Sequence, residues 1–144
     1  DMVPLRQVLP DYDIVIDATD QLENKFLIND VCVSAEKPFV HGGITGFSGQ
    51  VMTYVPEKGP CYRCIFGEVP EDNAPAPIPV IGVTAGIIGT IQAAEAIRYL
   101  LGIPSLLTGK LLVLDGLRMQ FRTVPFPHVS EHCPLHTRKG VTDL

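Results

Sequence analysis

YDIVIDATDQLENKFLIND, residues 12–30, sets a short run rich in Val and Ile directly before an acidic turn and a longer segment of helical spacing. Residues 12–19 have the length and near-continuous apolar character of a strand buried in a parallel sheet. Asp20 and Glu23 then form a D-x-x-E helix start, and Leu27, Val31 and Ala35 recur at four-residue spacing. This predicts a helix of about four turns ending near Lys37-Pro38. An extended pattern resumes over residues 39–41, so the chain opens strand, helix, strand, the order that requires a parallel pair.

Further out, Gly42, Gly43, Gly46 and Gly49 punctuate the approach to a second strand at residues 50–55 (QVMTYV). Residues 57–79 hold a C-x-x-C pair and many prolines, a composition too irregular for either periodic element, and read as one long loop. Residues 81–101 turn helical. Ile87, Ile91, Ala94 and Ile97 are expected to share the buried face, with Glu95 and Arg98 turned away, and Gly102 and Pro104 stop the helix. Residues 110–115 (KLLVLD) and 120–124 (QFRTV) read as strands joined across Gly116-Leu117. A single α/β domain with a mixed sheet, residues 1–144, fits these elements, followed by a tail with little apolar periodicity that needs something to hold it.

The chain has 144 residues, 46% of them hydrophobic, enough for one core. Its formal charge is −5 with no run of basic residues, which argues against a nucleic-acid partner and against an anionic membrane surface. No stretch has the length of a transmembrane helix, and DMVPLRQVLP lacks the layout of a signal peptide, so a cytoplasmic location is expected. The first residue, Asp1, suggests a fragment or a processed product. In that compartment four cysteines point to metal or redox chemistry rather than to disulfides.

Cys61 and Cys64 stand at the spacing by which two thiolates reach one tetrahedral ion, and Cys133 and His136 repeat it with one imidazole. Together they make a Cys3His set, a structural zinc type. His128 and His132 are alternative fourth ligands. A redox reading of the pair requires it at a helix start after a strand, and this loop is expected to offer neither. Cys32, between Val31 and Val33, reads as a small buried hydrophobe, and His41 as a hydrogen-bonded histidine at a strand end. Asp17 and Asp20 lie at the carboxyl end of the first strand, where open α/β sheets place ligand-binding groups. Such a pair could hold hydrated magnesium, or Asp20 could be a helix cap and Asp17 a turn residue.

Several stretches taken in order carry a family resemblance. DIVIDATDQLENKFLIND resembles the D-x-V-x-D-x-T-D-N-x-x-x-R-x-x-L-N segment of the ThiF/MoeB/HesA adenylyltransferases, within the ubiquitin-activating-enzyme-like superfamily. FVHGGITGFSGQVMTYVPEKGPCYRC is similar to that family's next strand pair and first zinc cysteines, GVTAGIIGTIQAAEAIRYLLG to its long helix, and KLLVLDGLRMQFRTV and HCPLH complete the order. The resemblance runs from Asp11 to His136. It implies the carboxyl-terminal half of a Rossmann-like domain with a zinc-stapled loop and tail. It also implies ATP-dependent adenylylation of the terminal glycine of a ThiS/MoaD-like ubiquitin-like sulfur carrier, in a homodimer.

On that resemblance Asp20 holds the catalytic magnesium, with Asp17 and Lys25 beside the nucleotide. The family's Asn after the aspartate is Gln21 here, its following Arg is Lys25, and its last zinc cysteine is His136. Its Gly-x-Gly-Gly phosphate loop has no counterpart in this chain, so weak ATP binding is expected, and residues 71–82 hold no cysteine for a covalent step. Two other functions stand beside this one. The first is a non-catalytic zinc-containing module that binds a ubiquitin-like protein. The second is a dinucleotide oxidoreductase, which no G-x-G-x-x-G supports.

Overall fold

Among the described residues five strands lie side by side in chain order: the second returns to the third and the fourth to the fifth through short turns, whereas helices join the first to the second and the third to the fourth. The computed structural model describes residues 2–69 and 79–136. Helix α1 (Met2–Val8) and a 3-10 turn (Leu9–Asp11) lead to β1 (Val15–Asp17), α2 (Leu22–Ser34), β2 (Phe39–Thr45), β3 (Ser48–Tyr54), α3 (Tyr62–Phe66), α4 (Gly82–Leu100), β4 (Lys110–Asp115) and β5 (Gln120–Pro125). The sheet order is β1-β2-β3-β4-β5. Strands β1 and β2 are parallel, with Val15 opposite Phe39 and Asp17 opposite His41, and the later pairs are antiparallel. The mixed α/β sheet is therefore as the sequence indicates.

β1 is shorter than expected because Thr19 folds its backbone N–H back onto the Asp17 carboxylate, ending the extended run. The N-cap of α2 is Gln21, in extended conformation and without a side-chain cap, so Asp20 is not the helix cap. β2 and β3 are longer than predicted and meet through a two-residue turn, Thr45 opposite Ser48, in which Gly46 supplies the positive φ of 53°. α1 was not foreseen, nor was α3 inside the proline-rich loop. Residues 70–78 of that loop, including most of the cysteine-free stretch, lie outside the described residues, as do residues 137–144 at the end of the tail.

Alternation along β2 divides the core. Phe39 joins Phe26, Val31, Cys32, Met52, Tyr54 and Tyr62 on the side covered by α2 and α3, whereas Val40 joins Val51, Ile88, Ala96 and Leu114 under α4. α4 sits close to the sheet: a Cβ at Gly42 would fall 2.4 Å from the Gln92 side chain, and one at Gly49 2.5 Å from Ile88. The buried face of α4 is Thr84, Ile88, Gln92, Glu95 and Ala96, and Ile97 is 56% exposed. This corrects the expected face. Polar residues bury here because each meets a group that needs a partner. Gln92 Nε2 donates to the main-chain oxygens of Asp17 (2.7 Å) and Val40 (3.2 Å). The Glu95 carboxylate accepts from Thr53 Oγ1 (2.6 Å), the Leu107 N–H (2.7 Å) and Arg98.

Candidate functional site

After β3 the chain turns through Pro60 into Cys61, the N-cap of α3, and Cys64 follows one helical turn later. The tail returns over them in two tight turns, Cys133 N–H to Ser130 O and His136 N–H to Cys133 O, which bring the second pair to the first. Cys61 Sγ lies 3.7 Å from both Cys64 Sγ and Cys133 Sγ, and the ligand atoms of all four residues, His136 included, fall within 4.8 Å of one another. Ligands about 2.3 Å from a zinc ion at tetrahedral angles stand about 3.8 Å apart. Both separations from Cys61 therefore match the edge of such a tetrahedron and are far beyond disulfide distance.

A second observation fits the same ion. His136 Nε2 is buried and has no hydrogen-bond partner, a costly state that a cation in the cluster resolves. The thiols agree. The hydrogen bond from Cys61, with the Ser130 backbone, holds Cys64 down at about 5, while the bond to Cys64 and burial drive Cys61 well above the usual thiol range, and burial raises Cys133. One thiolate forms readily and further ones need a positive charge between them. His128 and His132 are exposed and lie outside the cluster. The expectation that the C-x-x-C would lack a helix start is corrected, since Cys61 begins α3. What favours a metal is the second pair beside the first, not the surroundings of the first.

Helix α2 holds this loop by contacts that no motif announced. Asn29 Oδ1 accepts the Tyr62 N–H at 2.8 Å, satisfying an orphan donor at the start of α3 from a different helix. Arg63 grips Asp30 through Nε (2.6 Å) and Nη2 (2.7 Å) and lies over the Phe26 ring. Tyr62 packs edge-on against Phe26 and 4.6 Å from the His41 ring. Cys32 is fully buried in this core and its thiol is pushed up to about 12 by burial, in keeping with its reading as a hydrophobe.

The acidic turn lies at the carboxyl end of β1. Asp17 is buried, and its carboxylate accepts the Thr19 N–H (3.0 Å) and hydroxyl (2.7 Å) at Oδ1, and Lys25 Nζ (3.3 Å) and His41 Nδ1 (2.9 Å) at Oδ2. Burial raises the carboxyl, but His41, Lys25 and Thr19 outweigh it and hold its pKa at about 2. Lys25 also donates to Gly42 O at 2.7 Å; burial lowers its ammonium and Asp17 opposes the fall. Gln50 Nε2 stands 3.3 Å from His41 Nε2, so the network assigns the imidazole proton to Nδ1. Burial, resisted by the Asp17 hydrogen bond, keeps the ring neutral. Asp20 is exposed, three residues beyond Asp17 and near Lys25. Asp17 and Lys25 are thus engaged with each other, and Asp20 is the acid of the turn that faces solvent. The sequence named these three and read His41 as a hydrogen-bonded histidine, but not Gln50 or Gln92, whose roles depend on how β3 and α4 lie against β1 and β2.

The chain matches the ThiF family over residues 2–135. It is 41% identical to the SAMP-activating enzyme E1 of Haloferax volcanii, over 97% of this chain and 52% of that protein. It is 40% identical to the adenylyltransferase and sulfurtransferase MOCS3 of Culex quinquefasciatus, over 81% of this chain and 27% of that one. The chain thus spans about half, or less, of the curated relatives it matches. In fold it is similar to E. coli MccB solved with ATP (TM-score 0.76, 21% identity) and with AMPCPP and MccA (0.78, 21%), each over 94% of this chain and 42% of that chain.

Proposed function

From its membership of the ThiF family, we propose that the chain is the part of an activating enzyme that adenylylates the terminal glycine of a small ubiquitin-like sulfur-carrier protein. In that reaction a carrier carboxylate oxygen bonds to the α-phosphorus of ATP, the α–β phosphoanhydride bond breaks, and pyrophosphate leaves. The observation that carries the reading is the Asp17–Asp20 turn, a buried anion fixed by four hydrogen bonds ahead of one exposed acid at the strand end. Asp20 would hold the magnesium, which offsets the charge that builds on the phosphates. Asp17 and Lys25 support the turn and contribute its local field. Cys61, Cys64, Cys133 and His136 would hold a zinc ion whose closed four-ligand shell leaves no position for substrate, so that its role is structural. The names of the relatives, an E1 that activates SAMP and an adenylyltransferase, support the same reading.

The test is carrier-dependent ATP–pyrophosphate exchange with the complete polypeptide that carries these residues. Asp20→Asn should lower exchange by about two orders of magnitude or more, because charge stabilisation of several kcal/mol is lost at about 1.36 kcal/mol per tenfold. Carrier binding and thermal stability should change little, since Asp20 caps no helix. Normal exchange in that variant would sink the assignment. Carrier capture without any exchange would support a zinc-stapled binding module instead.

A further inference from the structure

The geometry points to His41 as a positioning residue for Asp20, acting through Asp17. This rests on the proposed role of Asp20 only for its catalytic consequence; the positioning itself is a property of the turn. Asp17 is the one residue that touches every part of the turn's foundation. Its main-chain oxygen is held by Gln92 of α4, and its Oδ2 by Lys25 of α2 and His41 of β2. Its Oδ1 faces the other way and takes both the N–H and the hydroxyl of Thr19, the residue before Asp20. A carboxylate can rotate about its Cβ–Cγ bond, and at Oδ2, the oxygen anchored to the core, the bond from His41 Nδ1, at 2.9 Å, is the shorter of the two that hold it.

His41 is itself fixed on every side. It is fully buried, Gln50 lies against its Nε2, Tyr62 packs 4.6 Å from the ring, and Phe66 approaches edge-on. Met52 is directly opposite across the sheet. The imidazole therefore transmits the rigidity of the sheet and of the loop that carries Cys61 and Cys64 to one oxygen of Asp17, whose other oxygen sets the direction in which residues 18–20 leave β1.

Two substitutions separate this role from simple packing, because an asparagine amide nitrogen overlays Nδ1 of histidine whereas a glutamine amide nitrogen overlays Nε2. His41→Asn keeps the donor to Asp17, and His41→Gln keeps only the contact with Gln50. In the 144-residue chain, amide hydrogen exchange at Thr19 should quicken about tenfold in His41→Gln and stay near wild type in His41→Asn. A titration with Mn²⁺ alone, followed as paramagnetic broadening of residues 18–22, should need several-fold more metal in His41→Gln and about the same in His41→Asn. Thr19→Val, on a partly exposed side chain, loosens the same turn without entering the core and should reproduce the Gln variant if that one folds poorly. Equal Thr19 protection in Gln, Asn and wild type, or an Asn variant as loose as the Gln variant, would overturn the inference. Absence of Mn²⁺ broadening at residues 18–22 of the wild-type chain would instead remove Asp20 as a metal ligand, and Thr19 protection would still decide the part played by His41.

Discussion

At the residue scale, the His41–Asp17 pair makes stability depend on pH in two stages. Burial lowers the His41 pKa, with Asp17 opposing and the Lys25 charge adding to the fall. Below about 6.5 an unfolded imidazole therefore takes up a proton that the folded one refuses, and stability declines as pH falls through that region. Asp17 behaves differently. Its carboxyl, near 2 in the fold against an ordinary 3.8, contributes about 2 kcal/mol above pH 4, lost as pH drops from there toward 2. Urea midpoints measured from pH 8 to pH 2 should show both declines, and His41→Asn should flatten the upper one relative to wild type while leaving the lower. A profile for the Asn variant parallel to wild type between pH 7 and 5 would show that His41 is not the group titrating.

At the element scale, α4 shows why part of this fold was legible in the sequence and part was not. Its limits were plain, because Ile and Ala recur at helical spacing until Gly102, and KLLVLD marked β4 at its observed bounds. Its inward face was not, since periodicity ranks Gln92 and Glu95 as surface residues, and only the sheet's main-chain and Thr53 partners make them core. Helix α3 escaped for another reason: five residues carry no period, and its start is capped by Asn29 of a distant helix. The clustering of Cys61, Cys64, Cys133 and His136, by contrast, was readable as spacing alone.

The close fit of α4 makes a prediction. Gly42→Ala should cost about 2 kcal/mol in urea unfolding, because the added methyl meets the amide of Gln92, which cannot retreat without abandoning Asp17 O and Val40 O. A loss below about 0.5 kcal/mol would mean that α4 shifts freely over the sheet. Cys64→Ser should loosen residues after Val124 before the sheet, seen as hydrogen exchange that quickens in the tail first. A uniform loss of protection would argue against a local staple.

For the whole molecule, two outcomes are expected. The purified protein should carry about one zinc per chain by elemental analysis, since the four ligand atoms lie within 4.8 Å of one another; well under one in protein never exposed to chelator would contradict the metal assignment. The chain should also self-associate. Val83, Ile97 and Leu100 of α4, the C-cap residue Leu101 and Phe121 of β5 are all exposed, and beside them Ile87 and Ile91 line an open apolar groove. Sedimentation equilibrium should show a concentration-dependent dimer that Ile97→Glu weakens, and a strictly monomeric wild type would exclude that use of the face.

Cys61 and Cys133 are separated by 72 positions, so a bound ion closes a loop that contains α4, β4 and β5. A cross-link of that span removes about 4 kcal/mol of chain entropy from the unfolded state, if a metal clip behaves as a covalent one does. Chain order adds a consequence. During synthesis Cys61 and Cys64 leave the ribosome long before Cys133 and His136, so the nascent chain carries half a shell until the last turn emerges, and the ring can lock only after the strands it encircles exist. A peptide-bond cut within the ring, between Cys64 and Cys133, would for the same reason leave two pieces joined through the ion. In urea strong enough to separate the pieces of a metal-free nicked protein, they should run as one species until a chelator is added.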